Sequence, residues 1–259
     1  MTTTAQPALR SRLSAPSWVV TTTVVLIVLA LWQLAVVVLQ VSPNVLPGPA
    51  QIAVGADWLL VVQAALNTVL ATLAGFAVGN IVGLALAILI CASRTFSDIV
   101  YPVAVVVRAI PIVALAPFIT LAFGRGPGAT VVVAALIVFF PTLVNVILGL
   151  RSVPVETIEL LKVMNASTIF GYVRVRIPFA MPSFVSALKI SAPNAVLGVM
   201  TAEWIIGGTG LGRLVVQSWL SLDITTMWGA VLFSALVASV LFSVVSLVER
   251  LLLGWAVRT

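Results

Sequence analysis

The sequence predicts an all-α integral membrane protein with six transmembrane helices and a short cytoplasmic helix between the fourth and fifth. Three observations predict it. Of 259 residues, 62% are apolar, against roughly 45–50% in an ordinary soluble domain. Only 8% are charged, where roughly a quarter would be usual. The apolar residues fall in six runs, each long enough for a bilayer crossing of about 20 residues. A water-soluble globule is excluded, and the length leaves no room for a further soluble domain. The expected organisation is a cytoplasmic tail over 1–17, a single transmembrane domain over 18–250 and a second cytoplasmic tail over 251–259.

The first run, 18 to 41, follows Arg10 and Arg12. It is too long for a signal-peptide core and has no small-residue cleavage site, so it reads as a retained span. The second, 62 to 92, carries Gly75, Gly79 and Gly83, a spacing of four that stacks them on one helix face and lets another backbone come close. The third, 99 to 122, holds Pro102, Pro111 and Pro117, each of which removes a helix hydrogen bond and favours a kink. The fourth, fifth and sixth lie at 129 to 149, 179 to 202 and 226 to 249. Six crossings put both termini on one side. Nine cations fall on that side (Arg10, Arg12, Arg94, Arg151, Lys162, Arg174, Arg176, Arg250 and Arg258), against Arg125 and Arg213 opposite. Cations are retained in cytoplasmic loops, so the termini are expected in the cytoplasm.

Between the fourth and fifth runs, residues 153–178 form a connection too charged and too short to cross. Pro154 suits a first helical position, Glu156 and Glu159 favour the positive end of a helix, and Lys162 the negative end. Asn165 accepts the left-handed backbone that stops a helix, and Ser167 can cap a second short one. Val155, Ile158, Leu160, Leu161 and Met164 make an apolar stripe outside the bilayer that needs a cover: headgroups, other parts of the chain, or a separate protein.

The spacing Glu159-Leu160-Leu161, three residues, Asn165, nine residues, then Val175-Arg176-Ile177-Pro178 resembles the EAA loop of binding-protein-dependent ABC importer permeases. That pattern reads E-A-A, three residues, G, nine residues, I-x-L-P. Leu160 and Leu161 stand where the family has alanines, and Asn165 where it has glycine. Val45-Leu46-Pro47-Gly48-Pro49, Arg108-Ala109-Ile110-Pro111 with Ala116-Pro117, Phe123-Gly124-Arg125-Gly126, Ala202-Glu203 and Gly208-Thr209-Gly210-Leu211-Gly212 extend the likeness to the nitrate/sulfonate/taurine branch over most of the chain. The resemblance implies a bacterial inner-membrane importer subunit paired with a second copy. It implies an extracytoplasmic binding protein delivering a small anionic solute, and two ATPase subunits gripping the loop through Glu156, Glu159, Leu160, Leu161, Asn165, Ala166, Ser167 and Pro178. ATP is then used by the partner, and this chain binds no cofactor. Similar permeases carry sulfonates, nitrate, bicarbonate, pyrimidine precursors or aromatic acids.

The residues agree with a non-enzymatic chain. Lys162 and Lys189 are the only lysines and neither follows a glycine, so no G-x-x-x-x-G-K-[ST] loop exists. There is no His and one cysteine, Cys91, which excludes Cys/His metal sites within the chain. No cluster of cations with aromatics suggests nucleic acid. Arg108 and Lys189 sit within apolar runs, where a charge is costly and must face protein or water. Each reads either as a counter-charge for an anionic solute along the pathway, with Pro111 beside Arg108, or as packing for Arg108 and snorkelling for Lys189. Glu203 reads as a pathway carboxylate or a solvated loop residue. A stand-alone secondary transporter usually buries acids for ion coupling, yet the seven acids lie at span ends or in loops. An intramembrane enzyme needs a catalytic constellation that is not visible.

Overall fold

The computed structural model describes residues 17–252, and every regular element among them is helical. Arg10, Arg12 and Arg258, with the N-terminal tail assignment and most of the C-terminal one, lie outside the described residues. Five helices are long and apolar enough to cross a bilayer, six if one sharply bent pair is a single span. By its contacts the chain forms two units, residues 17–55 and 56–252.

In the first unit, α1 (Ser17–Val38) is followed by the short α2 (Pro49–Gly55). The turn between them is held by polar side chains: the Ala50 amide donates to Gln33 Oε1 at 3.2 Å and the Gly48 amide to Gln51 Oε1 at 3.0 Å.

The second unit is built around α3 (Trp58–Ala92), α6 (Pro127–Arg151) and α9 (Ile177–Ile206). Asp57 starts α3 by accepting from the Leu59 and Leu60 amides, which satisfies two donors the first turn leaves open. The glycine row then decides which helix packs there. A side chain added at Gly79 would come within 2.6 Å of the Ala135 carbonyl oxygen, and one at Gly83 within 2.8 Å of the Phe139 oxygen; Gly75 stands against Ala134. The three glycines therefore press the α3 backbone onto α6, and since both rows advance together the two helices run parallel. On its other flank α6 meets α9 antiparallel, with Gly149 against Ala180 and Gly198 against Ala134. A buried polar contact threads the three helices: Thr142 donates to Asn80 Oδ1 at 2.6 Å and lies 3.3 Å from the Ser191 hydroxyl.

The third apolar run is sharply broken rather than gently kinked. It is α4 (Arg94–Ala109) followed by α5 (Ile112–Phe123), bent by 104°. Pro102 and Pro117 stay inside helices; the break falls at Pro111 alone. Proline forces the preceding residue toward extended backbone, and Ile110 adopts φ −72°, ψ 124°. With its own N–H missing, Pro111 cannot carry the α4 ladder onward.

The segment after α6 bears the short α7 (Val155–Val163), α8 (Thr168–Gly171) and a π-helical turn (Tyr172–Arg176) that runs straight into α9. At the opposite end of the unit, α10 (Leu211–Leu220) follows α9, and α11 (Ile224–Leu252) returns along the bundle. The Asp57 amide donates to the Thr226 hydroxyl at 2.9 Å, fixing the start of α11 beside the start of α3. Long outward-facing side chains such as Leu59, Leu66, Leu70 and Ile81 on α3 are exposed. Such a surface suits hydrocarbon rather than water.

Candidate functional site

Four places carry the residues singled out by sequence. The first is the α7 end. Glu156 lies in the first turn of α7 and Lys162 in the last. The helix stops in a Schellman arrangement: Asn165 has φ 49°, its amide donates to the Lys162 oxygen, and the Ala166 amide reaches back to the Leu161 oxygen, both at 3.0 Å. That pair of bonds needs one left-handed residue, which Asn accepts better than other side chains. Ser167 then caps α8 by accepting from the Phe170 amide at 3.2 Å. Ile158 and Leu161 are half-buried, and with Ala166, Tyr172 and Val175 they line a groove of about 200 Å³. Glu159, Val155, Leu160, Val163 and Met164 remain exposed, and no residue of α7 is buried. The chain thus covers one edge of the stripe and leaves the other open. Pro178 sits half-buried at the start of α9.

The second place is mid-depth in the bundle, where α4 breaks from α5. A cavity of about 430 Å³ opens there, lined by Arg108 and Pro111 together with Phe140 of α6 and Asn194 of α9. Its remaining walls are apolar, among them Val107, Ile110, Leu115, Ile137 and Phe139. The Arg108 guanidinium lies over the Phe140 ring, 4.3 Å from its centroid, a cation–π contact. No carbonyl beside Pro111 accepts from Arg108. Among the described residues neither Arg108 nor Asn194 has a hydrogen-bond or ion-pair partner.

Lys189 and Glu203 belong to neither place. Lys189 is paired with Glu249 of α11 at 2.7 Å and faces the Phe242 ring. Both charges are about three-quarters covered, and mutual pairing is what makes that burial tolerable. Glu203 is not solvated but 3% exposed. Its carboxylate accepts from the Thr68 hydroxyl of α3 at 3.0 Å and from the Gly212 amide in the first turn of α10 at 2.8 Å. The Leu211 amide donates in turn to Thr68 Oγ1 at 2.8 Å. The loop glycines make room for this: any side chain at Gly210 would strike the Glu203 carboxylate and the Thr68 hydroxyl, and one at Gly212 the Met200 carbonyl. The glycine cluster therefore ties α9, α10 and α3 together through a buried carboxylate.

Of the four pathway candidates, the structure brings Arg108 and Pro111 together and sets Lys189 and Glu203 elsewhere. Sequence reasoning missed Phe140, Asn194, Thr68 and the Lys189–Glu249 pairing. Asn194 beside Pro193 in an apolar run is a signal that could have been read; the others depend on contacts between distant helices.

Residues 79–254 match the family model described as "Binding-protein-dependent transport system inner membrane component". The chain is similar to a "Probable ABC transporter permease protein" of Haemophilus influenzae, with 33% identity over 73% of this chain and 77% of that one. It is similar to the riboflavin transport system permease protein of Chloroflexus aurantiacus, with 33% identity over 89% of this chain and 87% of the relative. Further relatives are named for formylaminopyrimidine, aliphatic sulfonates and nitrate. Among solved structures, a chain of the inward-facing MetNI methionine ABC transporter shares the fold, with a TM-score of 0.64, 21% identity and coverage of 75% of this chain and 96% of that one.

Proposed function

This chain belongs to the family of binding-protein-dependent transport system inner membrane components, the multi-pass permease subunits of ABC importers, and from that membership we propose how it works. The bent α4–α5 pair is one crossing, giving six in all, with both termini in the cytoplasm of a bacterial cell. Arg94, Arg151, Lys162, Arg174, Arg176 and Arg250 cluster at the α7 end of the bundle, with Arg125 and Arg213 at the other, which favours the α7 end as the cytoplasmic one. Two copies enclose a pathway for a small anionic solute. A binding protein docks at the α10 end, and two ATPase subunits dock on α7 and use the ATP, while this chain binds no cofactor. Relatives named for riboflavin, formylaminopyrimidine, sulfonates and nitrate leave the choice of solute to be read from the chain's own pathway.

The observation that carries the coupling role is the open edge of α7. Four apolar side chains stand in water there on a helix with well-formed ends. Covering one side chain the size of Leu160 is worth about 1.5–3 kcal/mol, so a protein groove laid over the edge gains stability from each. Leu160→Asp is expected to lose the co-purifying ATPase and solute uptake while the amount of permease in the membrane stays near normal. An intact, ATP-hydrolysing complex carrying Leu160→Asp would move the docking surface elsewhere; a permease that takes up solute with no ATPase bound would revive the secondary-transporter alternative.

Orientation is tested separately. Gln217 on α10 and Ser152 after α6 are both exposed, whereas the neighbouring Ser218 is buried and unsuitable. With Cys91 replaced by Ala, Gln217→Cys is expected to react with a membrane-impermeant thiol reagent in intact cells, and Ser152→Cys only after permeabilisation. The reverse pattern would invert the topology.

A further inference from the structure

We propose that the cavity between Arg108 and Asn194 holds a small organic anion, a carboxylate or sulfonate with an apolar body, part-way along the pathway; this deepens the permease reading and rests on it. Arginine stays charged under all ordinary conditions; Arg108 is exposed in the single chain, and within a crossing a cation that meets neither water nor a counter-charge is costly. Phe140 answers with its ring face and fixes the guanidinium plane, but a ring accepts none of the five N–H donors. Among the described residues no carboxylate or carbonyl does so either. Asn194, across the same space, is likewise unpartnered. Arg108, exposed, and Asn194, half-buried, have no hydrogen-bond partner among the described residues and line one cavity of about 430 Å³ with otherwise apolar residues, the composition of a ligand site.

The walls set the class. Guanidinium pairs with the planar or tripodal oxygens of carboxylate and sulfonate through two parallel hydrogen bonds. Val107, Leu115 and Ile137 would leave a bare inorganic anion such as nitrate facing apolar surface over most of its shell, whereas the carbon body of an organic anion covers them. Asn194, able both to donate and to accept, suits a hydroxyl, amine or amide on that body. The Lys189–Glu249 pair marks the contrast: there the chain supplies its own counter-charge.

The test uses the permease–ATPase complex with Cys91→Ala and Ile110→Cys, since Ile110 is exposed on the cavity wall. Rates of modification by 2-sulfonatoethyl methanethiosulfonate and its trimethylammonioethyl counterpart are each scaled to their rate with a free thiol. The sulfonate reagent is expected to be favoured about five-fold, the size of effect one nearby unpaired charge exerts in a partly wet site. Arg108→Lys should keep the preference and Arg108→Gln abolish it. Excess 1-propanesulfonate should slow modification by uncharged N-ethylmaleimide, and Asn194→Ala should weaken that protection. Equal scaled rates, absence of protection, or a preference that survives Arg108→Gln would overturn the site. Should Arg108→Gln not accumulate, the parent's charge preference and propanesulfonate protection decide the matter. A complex that hydrolyses ATP but shows no preference removes this site and leaves the permease reading standing; failure to assemble with an ATPase removes that reading whatever the labelling shows.

Discussion

Gly79→Leu is expected to lower the yield of folded, monodisperse permease in detergent about ten-fold. A side chain at this position points at the Ala135 carbonyl oxygen and at Val138. A flexible side chain could swing away; the backbone of α6 cannot, because Ala134 is packed in turn against Gly198 of α9. Overpacking ordinarily costs about 1–3 kcal/mol, and 1.4 kcal/mol already changes a folding equilibrium ten-fold. The neighbouring Val78 is exposed, so Val78→Leu, which adds one carbon on the outward face, should behave as wild type. Equal yield and equal thermal midpoint for Gly79→Leu would mean that α3 and α6 do not approach this closely.

Asn165→Val should have the opposite character: a permease that is present and folded but does not work. The residue holds φ 49°, a conformation that costs an ordinary L-residue roughly 1–2 kcal/mol and a β-branched one more. The strain falls on the turn that aligns α7 with α8, where nothing is buried, so the bundle should melt near its usual temperature. Uptake per inserted molecule is expected to fall about ten-fold, with loss of the bound ATPase. Asn165→Gly, which takes the same φ freely, should retain both. Normal uptake by Asn165→Val, or equal loss for the glycine variant, would separate the turn from coupling.

What the sequence disclosed follows from how local each interaction is. The ends of α7 and α8 were legible at Pro154, Asn165 and Ser167 because capping and turn chemistry act within five residues along the chain. The α3 glycine row was legible as a packing face because its period is that of the helix itself. Pro111 announced a disturbance but not its size; two other prolines in the same run leave their helices continuous, and only the structure shows which one coincides with a change of direction. The burial of Glu203 was not foreseen because its partner Thr68 lies 135 positions away, nor was the pairing of Lys189 with Glu249, 60 positions away. Neither pairing leaves a local trace in the sequence. The Arg108 cavity was half-visible: the cation and the proline could be named, whereas the ring beneath and the amide opposite come from two other helices.

The π turn at Tyr172–Arg176 adds its extra residue without interrupting the helix, so residues 168–206 run on as one element of 39 residues. At about 1.5 Å per residue that is a rod of roughly 58 Å. One extremity adjoins the groove where Leu161 and Tyr172 meet; the other holds the Glu203 carboxylate under α10. A rod of this length pivoting about its middle by about 5° carries each extremity through roughly 2.5 Å, in opposite directions. Asn194 stands between the extremities, close enough to the fulcrum to move much less than either. Force applied at α7 would then slacken or tighten the Thr68–Glu203–Gly212 fastening at the far side while hardly disturbing the mid-depth cavity, and this helix would act as a lever whose axis lies near that cavity.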